Sequence, residues 1–262
     1  MPLIPVNCPS CGATLSADSD DPYLSCPNCG ISSGMNAAIK FSYLKLVCPE
    51  EDPSARPEFE ITDGRLVKYN GSAVNVTIPA GIDEVGKRAF AGSRVETVVI
   101  PSGVTVIYKY AFSGCESLTE VTLSDTIRQI GASAFSGCSK LNSIVFPDGI
   151  KNIDMGAFNG CDSLRHIVIP EGVEIIGDSA FYGCSSLLTV NLPESLKVIG
   201  DHAFADCGML HSVNFPNGLT EIMDYAFRNC TSLEEAELPD SLTRIGSLAF
   251  ENCGLTEITI PE

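Results

Sequence analysis

Apolar and polar positions repeat along residues 75–262 with a period of 22 or 23 residues. The pair Ala-Phe marks the period. It recurs at 89–90, 111–112, 134–135, 157–158, 180–181, 203–204, 226–227 and 249–250, with one stride of 22 and six of 23. Cys follows Phe by three residues in seven repeats (Cys115, Cys138, Cys161, Cys184, Cys207, Cys230 and Cys253), and Ser93 takes its place in the first. Five or six residues after Phe begins an apolar-x-x-apolar-x-apolar segment, as in Leu118/Val121/Leu123 and Leu164/Ile167/Ile169. Pro closes that segment in every repeat but one, where Ser124 stands. Apolar residues return three and six positions later, as in Val104/Ile107, and then the next Ala-Phe arrives.

A unit of 23 residues cannot enclose its own apolar face, so this pattern predicts stacked coils whose neighbours bury one another. The apolar-x-x-apolar-x-apolar segment predicts a short strand, paired in parallel with its copy in the next coil at about 4.7–4.9 Å. Eight or nine such coils would make a rod about 40 Å long. The Gly-x-x-Ala-Phe stretch is expected to form a single helical or 3₁₀ turn, with Ala where a larger side chain would meet the next coil. The seven evenly spaced cysteines are expected to be packing groups. Free Cys behaves as a small buried hydrophobe with a weak donor, and an odd number of parallel thiols makes a poor disulfide framework.

The quoted residues, which read I-P-x-x-V-x-x-I-G-x-x-A-F-x-x-C-x-x-L, resemble the BspA-like (LRR-5) class of leucine-rich repeats over residues 75–262. The resemblance implies a β-rich leucine-rich-repeat solenoid with right-handed coils, parallel strands and short helical turns. It also implies kinship with bacterial surface-attached or secreted adhesins that bind host or matrix proteins. Upstream, residues 59–71 alternate apolar residues with turn dipeptides and read as a hairpin capping the first coil.

Four further cysteines form two knuckles, Cys8-Pro9-Ser10-Cys11-Gly12 and Cys26-Pro27-Asn28-Cys29-Gly30, with fourteen residues between them. Each Cys-x-x-Cys turn aims two sulfurs at one point, and two such turns suit one tetrahedral structural zinc. The pattern resembles the zinc-ribbon family, which implies Cys8, Cys11, Cys26 and Cys29 as ligands. Iron in a rubredoxin-like site, and unligated or disulfide-bonded cysteines, are the alternatives. Cys48 has no partner in the pattern. The expected organisation is a zinc ribbon over 1–34, a connecting segment and linker over 35–57, and the capped solenoid over 58–262.

Composition narrows function. Asp and Glu number 33 against 16 Lys and Arg, a net charge of −17 that disfavours grip on nucleic acid or anionic membrane. Residues 1–40 hold one basic residue, Lys40, which disfavours nucleic-acid binding by the ribbon in particular. No apolar run approaches a membrane span. Three histidines in different columns, and no triad, phosphate loop or His-Glu-x-x-His motif, leave no candidate catalytic residues. The expectation is a non-enzymatic module that binds an unidentified protein through the outward strand face: Glu120, Val145, His166, Val168, Asn191, Asn214, Glu235 and Glu237. The lack of a recognisable export signal and the many free thiols point to the cytoplasm. A surface adhesin is the second expectation and a ribbon-led nucleic-acid regulator the third. The last coil carries no polar cap, so self-association through it is also expected.

Overall fold

The computed structural model describes residues 57–260, together with four short strands nearer the N-terminus. The chain divides into two compact units, Met1–Pro57 and Glu58–Glu262.

In the first unit, β1 (Val6–Asn7) pairs antiparallel with β2 (Thr14–Leu15), and β3 (Tyr23–Ser25) with β4 (Ser32–Gly34). The Cys8–Cys11 knuckle falls in the sequence between β1 and β2, and the Cys26–Cys29 knuckle between β3 and β4. The four cysteines themselves, with Cys48, lie outside the described residues.

The second unit is a β-solenoid of about eight coils, numbered here 1 to 8 by their phenylalanines, Phe90 to Phe250. An antiparallel hairpin of β5 (Phe59–Thr62) and β6 (Arg65–Tyr69) opens it. From β6 onward every pairing is parallel and in register, so each residue meets its counterpart one coil away. Two ladders run along the unit. One uses two-residue strands such as Val106–Ile107 and Val198–Ile199, and the other three-residue strands such as Thr97–Val99 and Thr189–Asn191.

Between the ladders lies the Ala-Phe turn, and here the expectation of a helical turn fails. The described residues contain no helix. In coil 2 the hydrogen bonds run Ala111 N–H to Tyr108 O, Ser113 N–H to Tyr110 O and Cys115 N–H to Phe112 O, each 3.1 Å. These are chained β-turns. A helix is excluded because two residues per coil sit in the left-handed region, Tyr110 at φ 62° and Gly114 at φ 72° in coil 2. The first of these positions recurs as Arg88, Ser133, Gly156, Ser179, His202, Tyr225 and Leu248, and only one of them is glycine. Left-handed backbone costs a non-glycine residue about 1–2 kcal/mol. Inter-coil bonds offset that cost: Ser133 N–H reaches Met155 O at 2.9 Å, and Phe135 N–H reaches Ala157 O at 2.8 Å.

The turn delivers Phe and Cys to the core. The eight Phe rings form one stack, with centroids 4.8 to 5.4 Å apart and planes within 14° of parallel. Tyr69 of the opening hairpin caps it, 4.9 Å from Phe90, and Phe59 lies 5.4 Å from Tyr69. Beside the stack every Cys thiol donates to the carbonyl of the Phe one coil earlier, at 3.0 to 3.3 Å. Each such carbonyl already accepts a backbone N–H from its own turn, so the thiol uses its second lone pair. The cysteines are therefore packing groups that also bond.

The three-residue ladder is interrupted twice. Residues 143–145 of coil 3 form no strand, and Ser212–Asn214 of coil 6 does not pair with Glu235–Glu237 of coil 7. Both breaks coincide with a phenylalanine where other coils carry Ile or Leu. Phe146 lies edge-on to Phe158 at 5.5 Å, and Phe215 edge-on to Phe227 at 5.5 Å. The larger ring thus occupies the corner of the coil next to each unpaired strand segment.

Phe158→Ala, in mid-stack, is expected to destabilise the solenoid by about 3–5 kcal/mol. Phe250→Ala, half-buried in the last described coil, should cost less than half of that. Urea unfolding of the two variants checks the difference, and equal losses would contradict the stack as a shared core.

Candidate functional site

The strand that follows each Leu turns its middle residue inward and its flanking residues outward, because successive side chains alternate. Val121, Ile167 and Val190 are buried, while Glu120, His166, Val168, Asn191, Asn214, Glu235 and Glu237 are exposed. Val145 is exposed as well, but it stands on the segment of coil 3 that carries no strand pairing. The expected residues thus share a face, on a ladder with gaps at coil 3 and after coil 6.

The face changes character along its length. Its middle is apolar, with Val145 82% and Val168 61% exposed, against 40% for Val99 nearer the N-terminus. His166 Nδ1 and Thr189 Oγ1 are 2.9 Å apart, which fixes the imidazole across two coils. Asn214 is partly a structural residue. Its amide donates to Leu192 O at 3.1 Å, and its Oδ1 accepts from Leu192 N–H at 2.9 Å. At the C-terminal end Glu235 and Glu237 pair in register with Glu257 and Thr259. Like charges opposite one another destabilise a sheet, so this end gains by meeting positive charge.

Reading the strand columns alone missed an adjoining depression lined by Leu188, Met209, His211, Ser232, Glu234 and Glu235. Met209 is half exposed there. The clue in the sequence is Leu188, an apolar residue one place before the strand, where neighbouring repeats carry Arg165 and His211.

The thiols of the middle coils are poorly suited to nucleophilic chemistry. Burial pushes Cys161 and Cys207 well above the ordinary thiol value and Cys184 up to about 12. His166, His202 and His211 do not converge: His202 stacks on Tyr225 at 4.7 Å, while His211 lines the depression. Among the described residues no group of three or more His, Cys, Asp or Glu could hold a metal ion. Among them, too, no helix is long and apolar enough to cross a membrane.

Comparison with known proteins agrees with this geometry. The model of the BspA type leucine-rich-repeat region matches residues 68–165 and 151–262. A leucine-rich repeat protein from Bacteroides ovatus is 35% identical, with a TM-score of 0.72 over 80% of this chain and 59% of that one. The chain thus spans little more than half of that relative. A leucine-rich repeat protein of T. pallidum is 32% identical, with a TM-score of 0.62 over 73% of this chain and 92% of its own. A leucine-rich cell surface protein from Faecalibacterium prausnitzii is 27% identical, with a TM-score of 0.56 over 79% of this chain and 78% of its own. A search of curated proteins finds no match.

In native protein the coil thiols should resist alkylation at pH 8, with half-exposed Cys253 reacting first. Unfolded thiols ionise near 9.0, whereas Cys184 holds its proton to about 12. The Cys184 thiol therefore contributes its full stability below pH 9, and that contribution falls as pH rises from 9 toward 12. Site-resolved mass spectrometry of alkylation, and urea midpoints across that range, check both statements.

Proposed function

The chain belongs to the BspA-type leucine-rich-repeat family, and from that premise we propose that it is a protein-binding module whose outward strand face meets its partner. Proteins of this family are generally non-catalytic scaffolds. The observation that carries the reading is the exposed apolar middle of the face at Val145 and Val168, bordered by His166 and by an acidic end at Glu235 and Glu237. Apolar surface with a polar border is the composition of protein interfaces. The matching partner offers an apolar ridge beside basic side chains. A cytoplasmic partner is favoured by seven coil cysteines that are all free thiols. A surface adhesin is the second reading, favoured by likeness to the Faecalibacterium cell surface protein.

Substituting Val145→Asp, Val168→Asp and Glu235→Lys together is expected to reduce partner capture at least ten-fold while leaving the circular dichroism unchanged. Quantitative affinity capture with wild type and variant in parallel reads this. Equal capture by both would remove the face from the proposal.

In this reading the N-terminal unit holds one structural zinc through Cys8, Cys11, Cys26 and Cys29. Each Cys-x-x-Cys pair falls in the chain between two strands that pair antiparallel, and four thiolates at this spacing suit one tetrahedral zinc. Purified protein is expected to contain about one zinc per chain, and Cys8→Ser/Cys26→Ser should lose the metal while the solenoid keeps its β signal. Elemental analysis finding iron, or no metal, would overturn the assignment.

A further inference from the structure

Outside the strand face, one flank of the solenoid carries an ordered charge pattern that neither the core nor the proposed binding face requires. It is built by the two residues before each Ala-Phe. The first of the two reads Lys87, Lys109, Ala132, Met155, Asp178, Asp201 and Asp224 from coil 1 to coil 7. Backbone bonds keep the flank in register from coil 3 through coil 5, across the gap between Gln129–Ile130 and Asn152–Ile153 in the two-residue ladder: Ser133 N–H to Met155 O at 2.9 Å and Gly156 N–H to Asp178 O at 2.8 Å. Bonds from Ser179 to Asp201 O and from His202 to Asp224 O, at 2.7 and 2.9 Å, carry it onward. Lys87, Lys109, Met155 and Asp178 are exposed, and Asp201 and Asp224 are half-buried.

The pattern is self-complementary about coil 4. Turned by a two-fold axis there, Lys87 faces Asp224, Lys109 faces Asp201, Met155 faces itself, and Ala132 faces Asp178, which gains no opposite charge. The second residue of each pair follows the same rule. Arg88 meets Tyr225, Tyr110 meets His202 and Ser133 meets Ser179, while Gly156 on the axis is buried in its own coil. Cation–aromatic, aromatic–aromatic and small–small pairs are all attractive or neutral.

We propose that two copies of this chain pair side by side and antiparallel along this flank. An isologous interface needs just such a surface, in which residue i meets j and j meets i. The local Lys–Asp pairs supply the drive, against the like net charge of the two copies, −17 each. Within one copy the three aspartates stand on successive coils about 4.8 Å apart and repel one another. Each of Asp178, Asp201 and Asp224 gives one carboxylate oxygen to a backbone N–H of the next coil, at 2.8 to 3.0 Å. That bond holds the side chain in place and leaves its charge to be met from outside. The two lysines answer the two outer aspartates, Asp201 and Asp224, on both halves of the dimer, and Met155, 59% exposed, fills the centre. From Lys87 to Asp224 the contact spans about 29 Å, six coil spacings. So short a strip makes a dimer of modest affinity that salt dissolves.

Sedimentation velocity of the full chain at about 0.1 mM tests this. A dimer is expected in about 0.02 M salt and a monomer in about 0.5 M. Lys87→Glu/Lys109→Glu places Glu against Asp, and Asp201→Lys/Asp224→Lys places Lys against Lys, so each variant alone should be monomeric. Mixed in equal amounts they should restore a one-to-one dimer, because both contact regions then pair opposite charges. Asp201→Asn/Asp224→Asn keeps the oxygen that caps the backbone, folds independently of the charge, and should weaken the dimer at least ten-fold. In Met155→Cys a bismaleimide should join two chains at position 155, mapped by mass spectrometry. A salt-independent oligomer indifferent to these variants would assign self-association to the exposed Ile258 and Ile260 of the last coil instead. A mixture that stays monomeric, or a variant that dimerises alone like wild type, would overturn the proposal.

Discussion

Each residue of the solenoid must stack on its own counterpart one coil away, and that single constraint selects what can occupy every column. Phenylalanine stacked on itself with parallel planes meets it, because offset aromatic faces attract. So does cysteine, whose thiol is small enough to repeat at strand spacing and can still donate to the Phe carbonyl of the previous coil. A charged group in the same column would face its own charge in both neighbours, without water. The core is therefore uniform by necessity. Stability is distributed in the same way, since each coil contacts only the coils on either side of it.

Much of this was legible in the sequence, because in-register stacking turns three-dimensional neighbours into residues 22 or 23 apart. The Phe column, the Cys column and the strand segments could be read directly. The turn could not. Gly-x-x-Ala-Phe has the composition of a helical turn, and what forbids the helix is a left-handed residue that is Tyr110, Ser179 or Leu248 and not glycine. Local propensity argues against that conformation for those residues, and only the inter-coil hydrogen bonds offset its cost. Phe146 and Phe215 satisfy the apolar pattern as well as Leu192 does, and a pattern of apolar positions does not record ring volume.

The candidate face shows the same division. Which side chains point outward follows from alternation along a strand, so Glu120, His166 and Val168 could be named from spacing. What they do once outside depends on lateral neighbours: Asn214 is committed to the backbone of Leu192, and Val145 stands where the ladder has opened. The depression beside the face arises from columns just off the strand, where Leu188, Met209 and His211 converge across coils. Periodicity lists those columns separately, and only the stacked coils set them side by side.

Because the core fixes only the inward columns, the outward ones are free to vary independently from coil to coil. Order in an outward column is therefore not a by-product of folding. On the strand face the order is a gradient from apolar to acidic, which suits a partner that is itself asymmetric. On the Lys87-to-Asp224 flank the first residue of each pair changes from basic to acidic about Met155, with Lys87 and Lys109 on one side and Asp178, Asp201 and Asp224 on the other. A surface for an unrelated partner has no reason to be its own complement. A surface for a second copy does, since the symmetry of the pair imposes the relation on every position it touches. The stacking that forces the interior to repeat thus leaves two exteriors with different logic, one directional and one palindromic, and a single rod can present both without either disturbing the other.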